Sequence, residues 1–118
     1  MMDYTSCAAA CNVLSDETRL KIVDMLSCGE MCACDLLEHL EISQSTLSYH
    51  MKALTGCGLV LAEKQGPWMR YRLGAARFEE LTRYIGHLST EKENCICGAV
   101  KRNRVNDIKV NEQMEEKK

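Results

Sequence analysis

The stretch Ser43-Gln44-Ser45-Thr46-Leu47-Ser48-Tyr49-His50-Met51-Lys52-Ala53-Leu54 decides the fold. Leu47, Met51 and Leu54 recur at helical spacing and form an inward face, while Gln44, Ser45, Thr46, Ser48 and Tyr49 make a polar leading edge. Ser43 is the expected N-cap. Just upstream, residues 33–40 read as a short helix burying Leu36, Leu37 and Leu40, and only Glu41-Ile42 separates the two. Two short helices joined so tightly form a helix-turn-helix. Downstream, the helix stops at Gly56-Cys57-Gly58 and the period changes. Residues 59–64 read as a strand, Gly66-Pro67 as a turn, and Trp68 to Leu73 as a second strand. Strict alternation points Met69, Tyr71 and Leu73 to the core and Trp68, Arg70 and Arg72 outward. A hairpin directly after a helix-turn-helix is a wing. The expected class is mainly α with a β-hairpin wing (α+β), a winged helix-turn-helix.

Residues 3–14 read as a first helix, with Cys7 and Cys11 at i, i+4 on one face. Ser15 is the expected cap of a second helix reaching about Cys28, with Leu20, Ile22, Val23, Met25 and Leu26 on a wide apolar face and Gly29 as its stop. Residues 75–90 return to helix, with Phe78, Leu81, Ile85 and Leu88 on one stripe. Residues 1–92 are thus expected to be a DNA-binding and dimerisation domain, and residues 93–118 a charged, flexible C-terminal tail. The apolar stripes on the first and last helices call for a partner, and a homodimer reading a palindrome supplies one.

The 118 residues suffice for one core. No run approaches the roughly 18 apolar residues of a membrane span. The first eleven residues lack the basic start and apolar run of a secretory signal, so a cytoplasmic protein without membrane association is expected. The net charge of −2 hides a segregation: residues 1–42 carry two basic against eight acidic groups, whereas residues 43–73 carry Lys52, Lys64, Arg70 and Arg72 against Glu63 alone. A polyanion would bind the middle of the chain. A helix fits the major groove of double-stranded DNA, where Gln44, Ser45, Thr46, Ser48 and Tyr49 would meet base edges, and Lys52, Arg70 and Arg72 would meet phosphates. Nothing suggests an enzyme: there is no phosphate loop, nucleophile–base pair or redox C-x-x-C.

Eight cysteines are unusual in such a chain. In a reducing compartment they read as ligands or redox sensors rather than a disulfide framework. Cys32 and Cys34 stand at the start of the helix before the reading helix, where a helix dipole favours thiolate. Soft thiolates select soft ions. On an intact helix, however, residues i and i+2 point about 200° apart. The pair is therefore expected to grip one ion only by fraying or unwinding the first turn, which would strain that helix and move the reading helix beside it. Cys28 and Cys57, each next to a glycine, read as packing residues.

The run Leu14-Ser15-Asp16-Glu17-Thr18-Arg19-Leu20, the Cys32-Ala33-Cys34-Asp35-Leu36 box, Ser43-Gln44 with Ser48-Tyr49-His50-Met51-Lys52-Ala53-Leu54, and Lys64-Gln65-Gly66 with Tyr71-Arg72-Leu73 together resemble the ArsR/SmtB family of metalloregulatory repressors, its arsenic-responsive branch above all. The resemblance covers residues 12–75. It implies a homodimeric repressor of metalloid-resistance genes that leaves operator DNA on binding As(III) or Sb(III), with Cys32 and Cys34 as ligands and Gln44, Ser45, Ser48 and Tyr49 facing DNA. Some arsenic repressors carry a third cysteine where this chain has Leu37. A third thiolate would then come from Cys7 or Cys11, or from Cys95 or Cys97. The Cys7–Cys11 spacing also resembles half of the site in the cadmium/lead branch, so a Cd(II)/Pb(II)-responsive repressor and a thiol redox switch stand as alternatives. His87 with Glu91 falls short of the ligands of the zinc branch.

Overall fold

The computed structural model describes residues 1–91. The expected flexible tail, and with it Cys95 and Cys97, lies outside the described residues. Helix α1 (Tyr4–Val13) starts with a capping box. Asp3 Oδ1 accepts from the Ser6 backbone N–H at 2.8 Å, and Ser6 Oγ accepts from the Asp3 N–H at 2.9 Å. Helix α2 (Glu17–Leu26) is capped by Asp16 rather than Ser15. The Asp16 carboxylate accepts from the Arg19 N–H at 3.1 Å, while the Ser15 hydroxyl donates back to the Asn12 carbonyl at 2.6 Å and closes α1. Only Ile22 and Leu26 of the wide α2 face are fully buried; Val23 and Met25 pack at its margin, and Leu20 is exposed. Five apolar positions span more of a helix than one core can cover.

Two residues then form a strand that periodicity could not show. Strand β1 (Met31–Cys32) pairs antiparallel with the wing, Met31 opposite Tyr71 and Cys32 opposite Arg70. Helix α3 (Ala33–His39) and helix α4 (Gln44–Gly56) follow, the latter capped by Ser43 Oγ on the Thr46 N–H at 3.1 Å. Strands β2 (Val60–Gln65) and β3 (Trp68–Leu73) make the hairpin, and the sheet order is β1-β3-β2. Gly66 at φ +64 with Pro67 behind it suits the II′ turn of a two-residue hairpin loop. Tyr71 and Leu73 pack on the core as the alternation requires, but Met69, close to the hairpin turn, is exposed.

Ile22, Leu26, Leu36, Leu40, Leu47, Met51, Leu54 and Val60 form the main core, each large side chain contributing about 1.5–3 kcal/mol. It fuses α2, α3, α4 and the base of the wing. A second cluster, Met2, Cys7, Ala10, Leu59 and Leu81, seats α1 against α5 (Ala75–Leu88). On the α5 stripe Leu81 is buried and Phe78 packs beside it, whereas Ile85 and Leu88 stay exposed. Gly74 joins β3 to α5 so tightly that a Cβ there would collide with the Gly58 carbonyl oxygen.

Candidate functional site

Cys32 is both the last residue of β1 and the N-cap of α3, with an extended backbone at φ −83, ψ 163. Its Sγ accepts from the Asp35 N–H at 3.4 Å, and Asp35 Oδ2 accepts from the Cys32 N–H at 3.4 Å. Thiol and carboxylate thus form a capping box in which sulfur replaces the usual hydroxyl. Cys34 lies in the first turn. Because Cys32 stands outside the helical spiral, the opposed directions expected of i and i+2 do not arise. The two sulfurs are in direct contact, paired as a disulfide, with Cα atoms 5.4 Å apart. The expected unwinding of α3 is therefore corrected: the box closes on an intact helix.

The Cys32 and Cys34 sulfurs and the Asp35 carboxylate lie within 4.8 Å of one another, and no other such group of three occurs among the described residues. Cys32 is buried, Cys34 exposed and Asp35 in between, so the cluster opens to solvent on one side. In reduced form it offers two soft sulfurs and one hard oxygen, a donor set suited to a thiophilic centre. Within one chain Cys7 and Cys11 do not join it. They neighbour each other on α1, where burial, then a hydrogen bond with Cys11, pushes the Cys7 thiol up. Cys11 and Cys28 are exposed, which corrects the packing reading of Cys28. Cys57 is half-buried and donates to the Leu54 carbonyl at 3.4 Å.

The reading helix exposes Gln44, Ser45, Thr46, Ser48, Tyr49 and Lys52 together. Ser43 Oγ also donates to Thr46 Oγ1 at 2.9 Å and lies 3.1 Å from Ser45 Oγ, ordering the leading edge. Behind it sits His50, buried at 7 % exposure. Arg19 Nε donates to His50 Nδ1 at 3.1 Å, and the Arg19 guanidinium stands 5.4 Å from the Tyr49 ring centroid. Neither Arg19 nor His50 was singled out from the sequence. The signal for His50 was present, since it completes the i, i+3, i+4, i+7 face of Leu47, Met51 and Leu54. The signal for Arg19, 31 residues away, was not. On the wing, Arg72 is exposed, with its Nη1 3.4 Å from Glu63 Oε2. Arg70 is half-buried, its Nε 2.5 Å from Glu30 Oε1.

A helix-turn-helix with an exposed polar leading edge, followed by a hairpin wing, defines a winged-helix DNA-binding protein. The family model described as bacterial regulatory protein, arsR family, matches residues 16–61. Over 100 residues the chain is 43% identical to an arsenical resistance operon repressor of Staphylococcus aureus, covering 85% of this chain and 96% of that one. Among solved structures, an ArsR-like transcriptional regulator from Rhodococcus sp. RHA1 aligns at TM-score 0.68 and 31% identity over 90% of this chain and 92% of its own. The homodimeric winged helix-turn-helix domain of a Mycobacterium bovis protein aligns at TM-score 0.59 and 26% identity, over 77% and 89% respectively. This chain belongs to the ArsR/SmtB family, as a DNA-binding transcriptional repressor rather than an enzyme.

Proposed function

We propose that the chain is a cytoplasmic, arsenic-responsive repressor that acts as a homodimer. It would hold double-stranded operator DNA through Gln44, Ser45, Thr46, Ser48, Tyr49, Lys52, Arg70 and Arg72, and release it when As(III) or Sb(III) takes the Cys32 and Cys34 thiolates. The observation that carries this reading is the meeting of the two sulfurs at the cap of α3. The arsenical resistance repressor of Staphylococcus aureus supports the inducer and the metalloid-resistance genes. The homodimeric Mycobacterium bovis domain supports the assembly, as do Tyr4 and Ile85, which leave apolar surface uncovered on α1 and α5.

A bound metalloid supplies a soft acceptor for thiolate lone pairs. The consequences fall on the chain's own residues. Cys32 Sγ, as a ligand, would share its lone pairs between the inducer and the Asp35 N–H, so binding at the sulfur would be felt at the cap of α3. Leu36 of α3 and Leu40 at its C-cap share one core with Leu47 and Met51 of α4, so a shift of α3 would be passed to the reading helix. Cys32 is also the strand partner of Arg70, which ties the box to the wing. A coupling of about 1–3 kcal/mol through these contacts weakens DNA binding roughly 5- to 150-fold. A third thiolate would come from Cys7 or Cys11 of a second copy, or from Cys95 or Cys97.

The test uses a duplex selected from a random pool by the wild-type protein. Arsenite should release it and zinc should not, and the variant Cys32→Ser, Cys34→Ser should stay bound in arsenite. Arsenite release that survives the double replacement sinks the role given to the box. The sulfur–sulfur contact also favours a second reading, a thiol redox switch. In that case peroxide alone would dissociate the duplex and dithiothreitol would restore binding.

A further inference from the structure

We propose that Glu30 is a positioning residue for Arg70: its carboxylate stands in for a DNA phosphate and holds the wing guanidinium until the duplex displaces it. The inference rests on the reading of Arg70 as a phosphate contact. Arg70 Nε lies 2.5 Å from Glu30 Oε1, with the two side chains 33% and 36% exposed, so solvent screens the pair only in part. Strand register delivers the contact. Met31 faces Tyr71 and Cys32 faces Arg70, which leaves Glu30, the residue before β1, diagonal to Arg70 and within reach of a long side chain. On the other edge Glu63 is the register partner of Arg70, yet its carboxylate goes to Arg72, at 3.4 Å and with both side chains more exposed. Arg70 is thus committed to Glu30.

A guanidinium binds carboxylate and phosphate through the same forked donors, and its Nε–H serves one partner at a time. Forked engagement of a phosphate through the Nε and Nη donors of Arg70 therefore requires the Glu30–Arg70 contact to break, and until then the Glu30 charge stands beside the incoming phosphate. The apparent affinity is scaled by the fraction of molecules in which Arg70 is free, a reduction of roughly two- to five-fold for a partly exposed ion pair.

The test compares wild type, Glu30→Gln, Arg70→Gln and the double variant on a duplex selected by the wild-type protein, across a salt series, with melting curves confirming that each is folded. Glu30→Gln should bind roughly two- to five-fold tighter, and Arg70→Gln should abolish that gain. Arg70→Gln alone should bind more weakly, with its salt slope lowered by about one. Glu30→Asp keeps the charge but shortens the reach, and should show part of the gain. An equal gain from Glu30→Gln in both backgrounds would mean only that a negative charge had been removed, and would overturn the proposal. So would unchanged affinity in Glu30→Gln while Arg70→Gln still weakens binding, an outcome that leaves the phosphate reading standing. If Arg70→Gln changes neither affinity nor slope, the phosphate reading fails and takes the proposal with it.

Discussion

Arg19 of α2 donates its Nε–H to Nδ1 of His50 on α4 at 3.1 Å, and that bond fixes the face of the reading helix from behind. Nδ1 is the acceptor of this bond, which puts the ring N–H on Nε2. The Asp16 carboxylate lies 4.0 Å from the same nitrogen. It cannot receive a proton that Nδ1 does not hold, so the contact with Asp16 is secondary. Arg19 also donates to the Val13 carbonyl at 3.3 Å and flanks the Tyr49 ring, tying the end of α1 to an exposed residue of the reading helix.

Breaking this arrangement should affect both stability and DNA binding. His50→Ala leaves a cavity and a part-buried guanidinium without its acceptor, at a cost of about 1–3 kcal/mol in urea unfolding. Arg19→Lys keeps the charge but loses the planar fork, and should weaken DNA binding by letting Tyr49 swing free. Denaturant midpoints and anisotropy titrations on the selected duplex measure the two effects separately. Unchanged DNA affinity in folded Arg19→Lys would remove Tyr49 from the account.

Replacing Gly74 should be among the most damaging single changes in the fold. The Cβ of Gly74→Ala meets backbone, the Gly58 carbonyl, and cannot be relieved by rotating a side chain. A loss of at least about 2 kcal/mol is expected, read as a lowered melting temperature.

Capping chemistry separates the structural role of Cys32 from the sensing role proposed for it. Cys32→Ser keeps an acceptor for the Asp35 N–H, and serine is a preferred N-cap, so melting temperature and DNA binding should hold while the arsenite response is lost. Ser43→Ala removes the corresponding cap from α4 and should cost about 1 kcal/mol. Circular dichroism melts of the two variants, run side by side, show whether the predicted contrast is present.

The Cys7 thiol, raised by burial and by its neighbour Cys11, should need a higher pH for alkylation than a cysteine in an unfolded peptide. The folded state favours the neutral thiol. Its contribution to stability is therefore present below the ordinary thiol range and fades as pH rises through the raised value. Mass-spectrometric labelling of Cys7 across a pH series reports the first effect. A labelling profile matching that of the unfolded peptide would contradict the burial of Cys7 against Leu59 and Leu81.

The sequence by itself determined the helix-turn-helix, the wing and the identity of the two central thiols, because these rest on local periodicity, capping types and turn residues. Leu47, Met51 and Leu54 face inward and Ser43 caps α4 as their spacing requires. Only the tertiary structure decided what is set by atoms far apart in the chain. Strand β1 has two residues, too few for any period, and exists because β3 offers it an edge. That pairing holds Cys32 extended and turns it from a helical residue into a cap. The Cys32-Ala33-Cys34 spacing, which on a helix would part the sulfurs, instead brings them together on an undistorted α3. Glu30 meets Arg70 across 40 residues and Arg19 meets His50 across 31, distances in sequence that no local pattern spans.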